Sequence, residues 1–73
     1  RVEQATVMVR IVKLADRLDS VRQAPDWADR AEKEAYLAET REFYIPLAEK
    51  SDDYLHEELL AACEQLELDL KFN

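Results

Sequence analysis

The stretch Val7-Met8-Val9-Arg10-Ile11-Val12-Lys13-Leu14-Ala15-Asp16-Arg17-Leu18-Asp19-Ser20-Val21 says most about the fold. Val7, Ile11, Leu14, Leu18 and Val21 recur at helical spacing and make one apolar stripe. Ala5, Met8, Val9, Val12 and Ala15 make a second stripe beside it. A helix apolar over so much of its circumference is normally buried among several others. The segment from about residue 2 to residue 22 is therefore expected to be a central helix, one that two further helices cannot cover completely.

Next along the chain, Gln23-Ala24-Pro25-Asp26 reads as a connection, because Pro25 disfavours helical geometry at Ala24. Asp26 is then the expected N-cap of a second helix, with Asp29 and Glu32 near its positive end. Trp27, Ala31, Ala35 and Ala38 line one face of it, and Tyr36, Phe43 and Leu47 lie near another. Pro46 is expected to end or kink this helix around Ile45. Ser51 followed by Asp52 and Asp53 reads as the start of a third helix. Its stripe is Leu55, Leu59, Ala62, Leu66 and Leu70, although the alternation Leu66-Glu67-Leu68-Asp69-Leu70 leaves fraying or an extended tail open. The expected fold is all-α, with three helices packed as antiparallel neighbours and residues 1–73 making a single helical segment.

Composition agrees. There is no glycine and there are two prolines, which suits helices joined by short loops better than β turns that require positive φ. The lone cysteine, Cys63, cannot close an internal disulfide, and 73 residues bury little apolar surface by themselves. The chain is thus expected to be part of a larger protein or to associate with a second copy. A free thiol and no export signal favour the cytoplasm, and no apolar run is long enough to span a membrane.

The net charge of −7 argues against a nucleic-acid backbone as partner. Its distribution is uneven. Residues 1–22 carry five basic and three acidic side chains, residues 23–50 four and seven, and residues 51–73 one and seven. A phosphate-bearing ligand would meet the first segment, while the acidic remainder reads as solvated surface.

A carboxylate inside so apolar a helix is costly unless it is paired or bound to metal. Part of the surroundings of Asp16 is expected to be buried. Helix geometry alone favours a salt bridge from Asp16 to Lys13, to Arg17 or to an unseen partner. Lys13-Leu14-Ala15-Asp16-Arg17-Leu18 also resembles the last metal-binding motif of the HD-domain phosphohydrolases, most closely the RelA/SpoT-type group that hydrolyses (p)ppGpp. Glu39-Thr40-Arg41-Glu42-Phe43-Tyr44-Ile45-Pro46-Leu47-Ala48 resembles that family's Glu-Thr-x-x-x-Tyr-x-Pro-Leu-Ala segment, in the same order and at a similar distance.

This resemblance, over roughly residues 7–60, implies a three-helix piece of an HD-domain bundle. It implies that Asp16 is one ligand of a catalytic manganese or another divalent ion, and that Lys13 and Arg17 orient the carboxylate or face substrate phosphate. Ser20 stands where the family usually has asparagine close to the nucleotide. Serine has a shorter reach and cannot make a paired amide contact, which bears on guanine recognition. The implied substrate is a guanosine polyphosphate, losing its 3′-pyrophosphate. The family's histidines, its His-Asp pair and its general acid/base lie upstream of the matching segment, so no catalytic group is assigned to this chain.

The other readings are blander. His56 is the only histidine and reads as a flank residue of the third helix. Cys63 reads as a small buried side chain. Glu39-x-x-Glu42, Glu64-x-x-Glu67 and Asp16-x-x-Asp19 have the spacing with which helical nucleotide pyrophosphatases hold magnesium, a spacing that arises readily among 17 acidic residues. The alternative to an enzyme fragment is a non-catalytic helical interaction module that dimerises through its uncovered apolar faces.

Overall fold

A computed structural model describes the backbone of residues 2–72 and the side chains of residues 6–72. Helix α1 runs Val2–Trp27 and α2 Arg30–Glu39; a π-helical turn, Thr40–Tyr44, leads into α3, Ile45–Ser51, and α4 runs Asp53–Phe72. Because α2, the π turn and α3 follow one another without a break, the molecule has three arms, all of them helical. Ion pairs show how the arms run. Arg17 of α1 meets Glu39, while Lys33 and Arg41 meet Asp69 and Glu67 of α4, so the middle arm is antiparallel to both neighbours. Both being antiparallel to the same arm, α1 and α4 run parallel, and Arg22 of α1 pairs with Glu58 of α4.

The core is built mainly by the outer arms. Leu14, Leu18, Val21 and Ala24 of α1 close against Leu55, Leu59, Ala62 and Leu66 of α4. The middle arm adds Ala48, with Tyr36, Leu37, Tyr44, Ile45 and Leu47 packed partly buried against the cluster. All five members of the third-helix stripe are buried, and the helix continues through Leu66–Leu70 as an α-helix. The period-two alternation there is overridden, because Leu66 and Leu70 share the core face while Leu68 points out.

Three boundaries differ from those read in the sequence. Residues 23–26 are the last turns of α1, with Pro25 inside the helix. Proline inside a helix forfeits its own bond to the carbonyl four residues back, and here the burial of Val21 and Ala24, 1 % and 0 % exposed, holds the turn in the core despite that loss. The cap of α2 is consequently Asp29 and not Asp26. Asp29 Oδ1 accepts from Glu32 N at 2.8 Å and Asp29 N donates to Glu32 Oε1 at 3.0 Å, a reciprocal capping box. The Asp29→Ala variant is expected to lose about 1 kcal/mol of stability by urea titration, whereas Asp26→Ala should change little.

Pro46 neither ends nor sharply breaks the middle arm. The helix widens into the π turn just before it, and Pro46 sits in the first turn of α3, where a missing N–H costs least. Ser51 is the last residue of α3, and the cap of α4 is Asp52, whose Oδ2 accepts from Leu55 N at 2.8 Å.

The small-residue face expected for the second helix is not a packing face. Ala31, Ala35 and Ala38 are exposed, and Trp27, itself exposed, meets Tyr36 in a T-shaped contact, ring centres 5.6 Å apart at 90°. Phe43 is likewise exposed. On α1 the second apolar stripe stays uncovered: Met8, Val9 and Val12 are 67, 51 and 58 % exposed, and Ala15 is exposed too. Val7, the first member of the other stripe, is also 43 % exposed and not part of the core. Ala5 lies outside the described side chains. The other arms lie against only one side of α1, so Val12 and Ala15 stay exposed beside the sealed Leu14.

Candidate functional site

Spacings of three and four residues put Lys13, Asp16, Arg17 and Ser20 on one side of α1. The structure brings these four together with Tyr36 of α2 and Tyr44 of the π turn around a cleft of about 280 Å3. Arg17, Tyr36 and Glu39 also line an adjoining cleft of about 270 Å3, with Glu32 and Ala35.

Arg17 is the hub. Its Nη2 donates to Glu39 Oε1 at 2.6 Å and to the Tyr44 hydroxyl oxygen at 3.3 Å. Its guanidinium carbon lies 4.8 Å from the ring centre of Tyr36 and 4.2 Å from that of Tyr44, within cation–π range of both. The side chain is 14 % exposed, and Nη1 is sealed from solvent without a hydrogen-bond partner among the described residues. This geometry replaces the salt bridge to Asp16 that helix spacing suggested.

Asp16 is exposed, contrary to the expectation of buried surroundings, because no neighbouring element covers that face of α1. Its carboxylate makes no ion pair or hydrogen bond among the described residues. Lys13 is exposed and Ser20 half-buried, so both can face a ligand in the cleft.

The paired carboxylates do not converge. Glu39 is engaged by Arg17, Glu67 by Arg41 at 3.1 Å, and Asp19 accepts from Gln23 Nε2 at 3.1 Å. The Arg41 hydrogen bond holds the Glu67 carboxyl below its ordinary range. Among the described residues no three His, Cys, Asp or Glu side chains come close enough to hold a metal ion. A divalent transition ion takes roughly four to six donors, and Asp16 offers one carboxylate. These residues do not fit a manganese centre by themselves.

His56 is half-buried on α4 and does not line the cleft. Cys63 is buried, as expected, and burial pushes its thiol up, opposed in part by Arg41. Sequence reading missed the two-ring enclosure of Arg17 and its link to Glu39. The signal for Tyr44 and Glu39 was their place in the Glu39–Ala48 segment, while nothing singled out Tyr36. Among the described residues no helix is long and apolar enough to cross a membrane. No family model, curated protein or solved structure matches this chain.

Proposed function

We propose that this chain is the C-terminal helical part of an HD-type phosphohydrolase acting on (p)ppGpp-like nucleotides, and that the α1 wall of the cleft faces the nucleotide's phosphates. One observation supports the reading. The two segments singled out by resemblance, separated by some twenty residues, meet at a single cleft: Arg17 of the first touches Glu39 and Tyr44 of the second.

On this reading Lys13 supplies a point charge to a phosphoryl oxygen and Ser20 a hydroxyl donor. Asp16 contributes one carboxylate to a divalent ion whose other ligands come from outside this chain. The chain alone is then not a catalyst, and the uncovered Val7–Val12 face is where the remainder of the domain packs. The free thiol and the substrate class fit a cytoplasmic protein.

The test is titration of the chain with guanosine 3′,5′-bis(diphosphate), followed by amide chemical shifts. Shifts are expected at residues 13, 16, 17, 20, 36 and 44, with an affinity no tighter than the millimolar range. Shifts scattered over the molecule, or none, would sink the nucleotide reading.

A second reading is a non-catalytic helical module that dimerises, and the exposed strip of α1 favours it. Apolar patches of a few hundred Å2 mark interaction sites on monomeric proteins. Under this reading the thermal midpoint rises with chain concentration and the nucleotide has no effect.

A further inference from the structure

Most of the Arg17 guanidinium is engaged or covered. Two aromatic rings enclose the guanidinium, Glu39 and Tyr44 take Nη2, and Nη1 is out of reach of solvent. Arginine commonly grips phosphate through two adjacent N–H donors, and here Nη2 is taken and Nη1 is sealed from solvent. Tyr44 is in the opposite situation. Its oxygen accepts from Arg17, which leaves the hydroxyl proton free to donate. A cationic donor on that oxygen polarises the O–H bond and strengthens it as a donor.

The π turn sets the direction. In an uninterrupted α-helix Tyr44, eight residues after Tyr36, would stand about a quarter-turn past it. The Ile45 N–H instead bonds to Thr40 O, a turn closed five residues back, so each residue advances by less. That brings Tyr44 round toward the side of the arm that carries Tyr36, where both rings reach Arg17. Lys13, Ser20 and Tyr36 are the other lining residues that carry donors besides Arg17, and Asp16 is the one carboxylate among them.

We propose that the Tyr44 hydroxyl is a ligand contact in this cleft, donating to an anionic oxygen, and that Arg17 is the positioning residue that holds it there and not a phosphate contact itself. The assignment rests on the phosphate-facing reading of the cleft. It adds Tyr44 as a ligand-facing residue and moves Arg17 from contact to support.

The experiment uses inorganic pyrophosphate as the probe and the amide signals of residues 13–20 and 36–44 as the readout. The proteins are wild type, Lys13→Ala, Tyr44→Phe, Arg17→Lys and the Arg17→Lys/Tyr44→Phe double variant. Tyr44→Phe keeps the ring and its packing but removes the acceptor for Arg17 Nη2, so a helical circular-dichroism spectrum and a melt lowered by a few degrees are expected for it. Its pyrophosphate affinity should fall about tenfold, as for one lost hydrogen bond to a charged group. Arg17→Lys keeps the charge but cannot stack between two rings while serving Glu39 and Tyr44, so it should lose a similar factor. Because both changes remove the same hydroxyl contact, the double variant should lose no more than either single one.

Wild-type affinity in Tyr44→Phe overturns the proposal. So do losses that multiply in the double variant, since Arg17 would then be an independent contact. If wild type binds and Lys13→Ala loses affinity while Tyr44→Phe does not, the cleft reading stands and only the role of Tyr44 falls. If wild type does not bind pyrophosphate at all, both fall.

Discussion

On the proposed phosphohydrolase reading, Asp16→Ala is expected to cost about a hundredfold or more in metal-dependent pyrophosphate release from a (p)ppGpp-type substrate, given that disturbing even the outer partners of metal ligands costs 10–100-fold. The release is measured on a protein that contains this segment with the remaining metal ligands. The same change should leave the 73-residue chain at least as stable as before. Asp16 is exposed in the middle of α1 and has no partner among the described residues, so its removal breaks no contact seen there. Alanine is the better helix former by up to about 0.7 kcal/mol. For a domain of this size that raises the thermal midpoint by up to roughly 3–6 °C.

The two readouts separate the competing accounts. Full activity in the variant would remove Asp16 from the metal site. A midpoint lowered by several degrees would mean that the carboxylate has a structural partner, the role helix spacing alone suggested. Loss of activity together with an unchanged or raised midpoint is the outcome that a ligand role requires.

Leu59→Ala should have the largest effect on stability. Leu59 is fully buried on α4 and is, with Leu14 and Leu66, among the largest sealed side chains of the core. Removing a leucine side chain at such a site costs about 2–5 kcal/mol, through lost transfer energy and the cavity left behind. A chain of 73 residues has about 4–11 kcal/mol in total, and the short length places it toward the lower end. The urea midpoint is expected to fall by about 2 M or more, with slopes near 1 kcal/mol/M.

Leu60→Ala, one position along and partly exposed, is the control and should cost less than about 1 kcal/mol. Equal losses at 59 and 60 would mean that the register of α4 against α1 is wrong.

The helical class and the inward face of α4 are legible in the amino-acid sequence. A chain without glycine, with apolar residues at Leu55, Leu59, Ala62, Leu66 and Leu70, has one way to bury that stripe, and it does. Spacing likewise puts Lys13, Asp16, Arg17 and Ser20 on one side of a helix, because a helical repeat is a local property of the backbone. The same logic fails at the caps. Asp26 and Asp29 are equally good N-cap residues in isolation, and the choice falls to Asp29 because burial of Val21 and Ala24 carries α1 through Pro25.

The make-up of the site depends on tertiary packing. Arg17 could have paired with Asp16 along its own helix; it turns to Glu39 and two tyrosines because core packing sets the register of the antiparallel arm that bears them. Packing also selects which apolar stripe of α1 is core and which is surface. The two stripes are similar in sequence, but the other arms cover only one side of the helix, so Leu14, Leu18 and Val21 are sealed while Met8, Val9 and Val12 remain exposed. Hydrophobic spacing specifies a face that favours burial, and only the arrangement of the other helices determines whether anything lies against it.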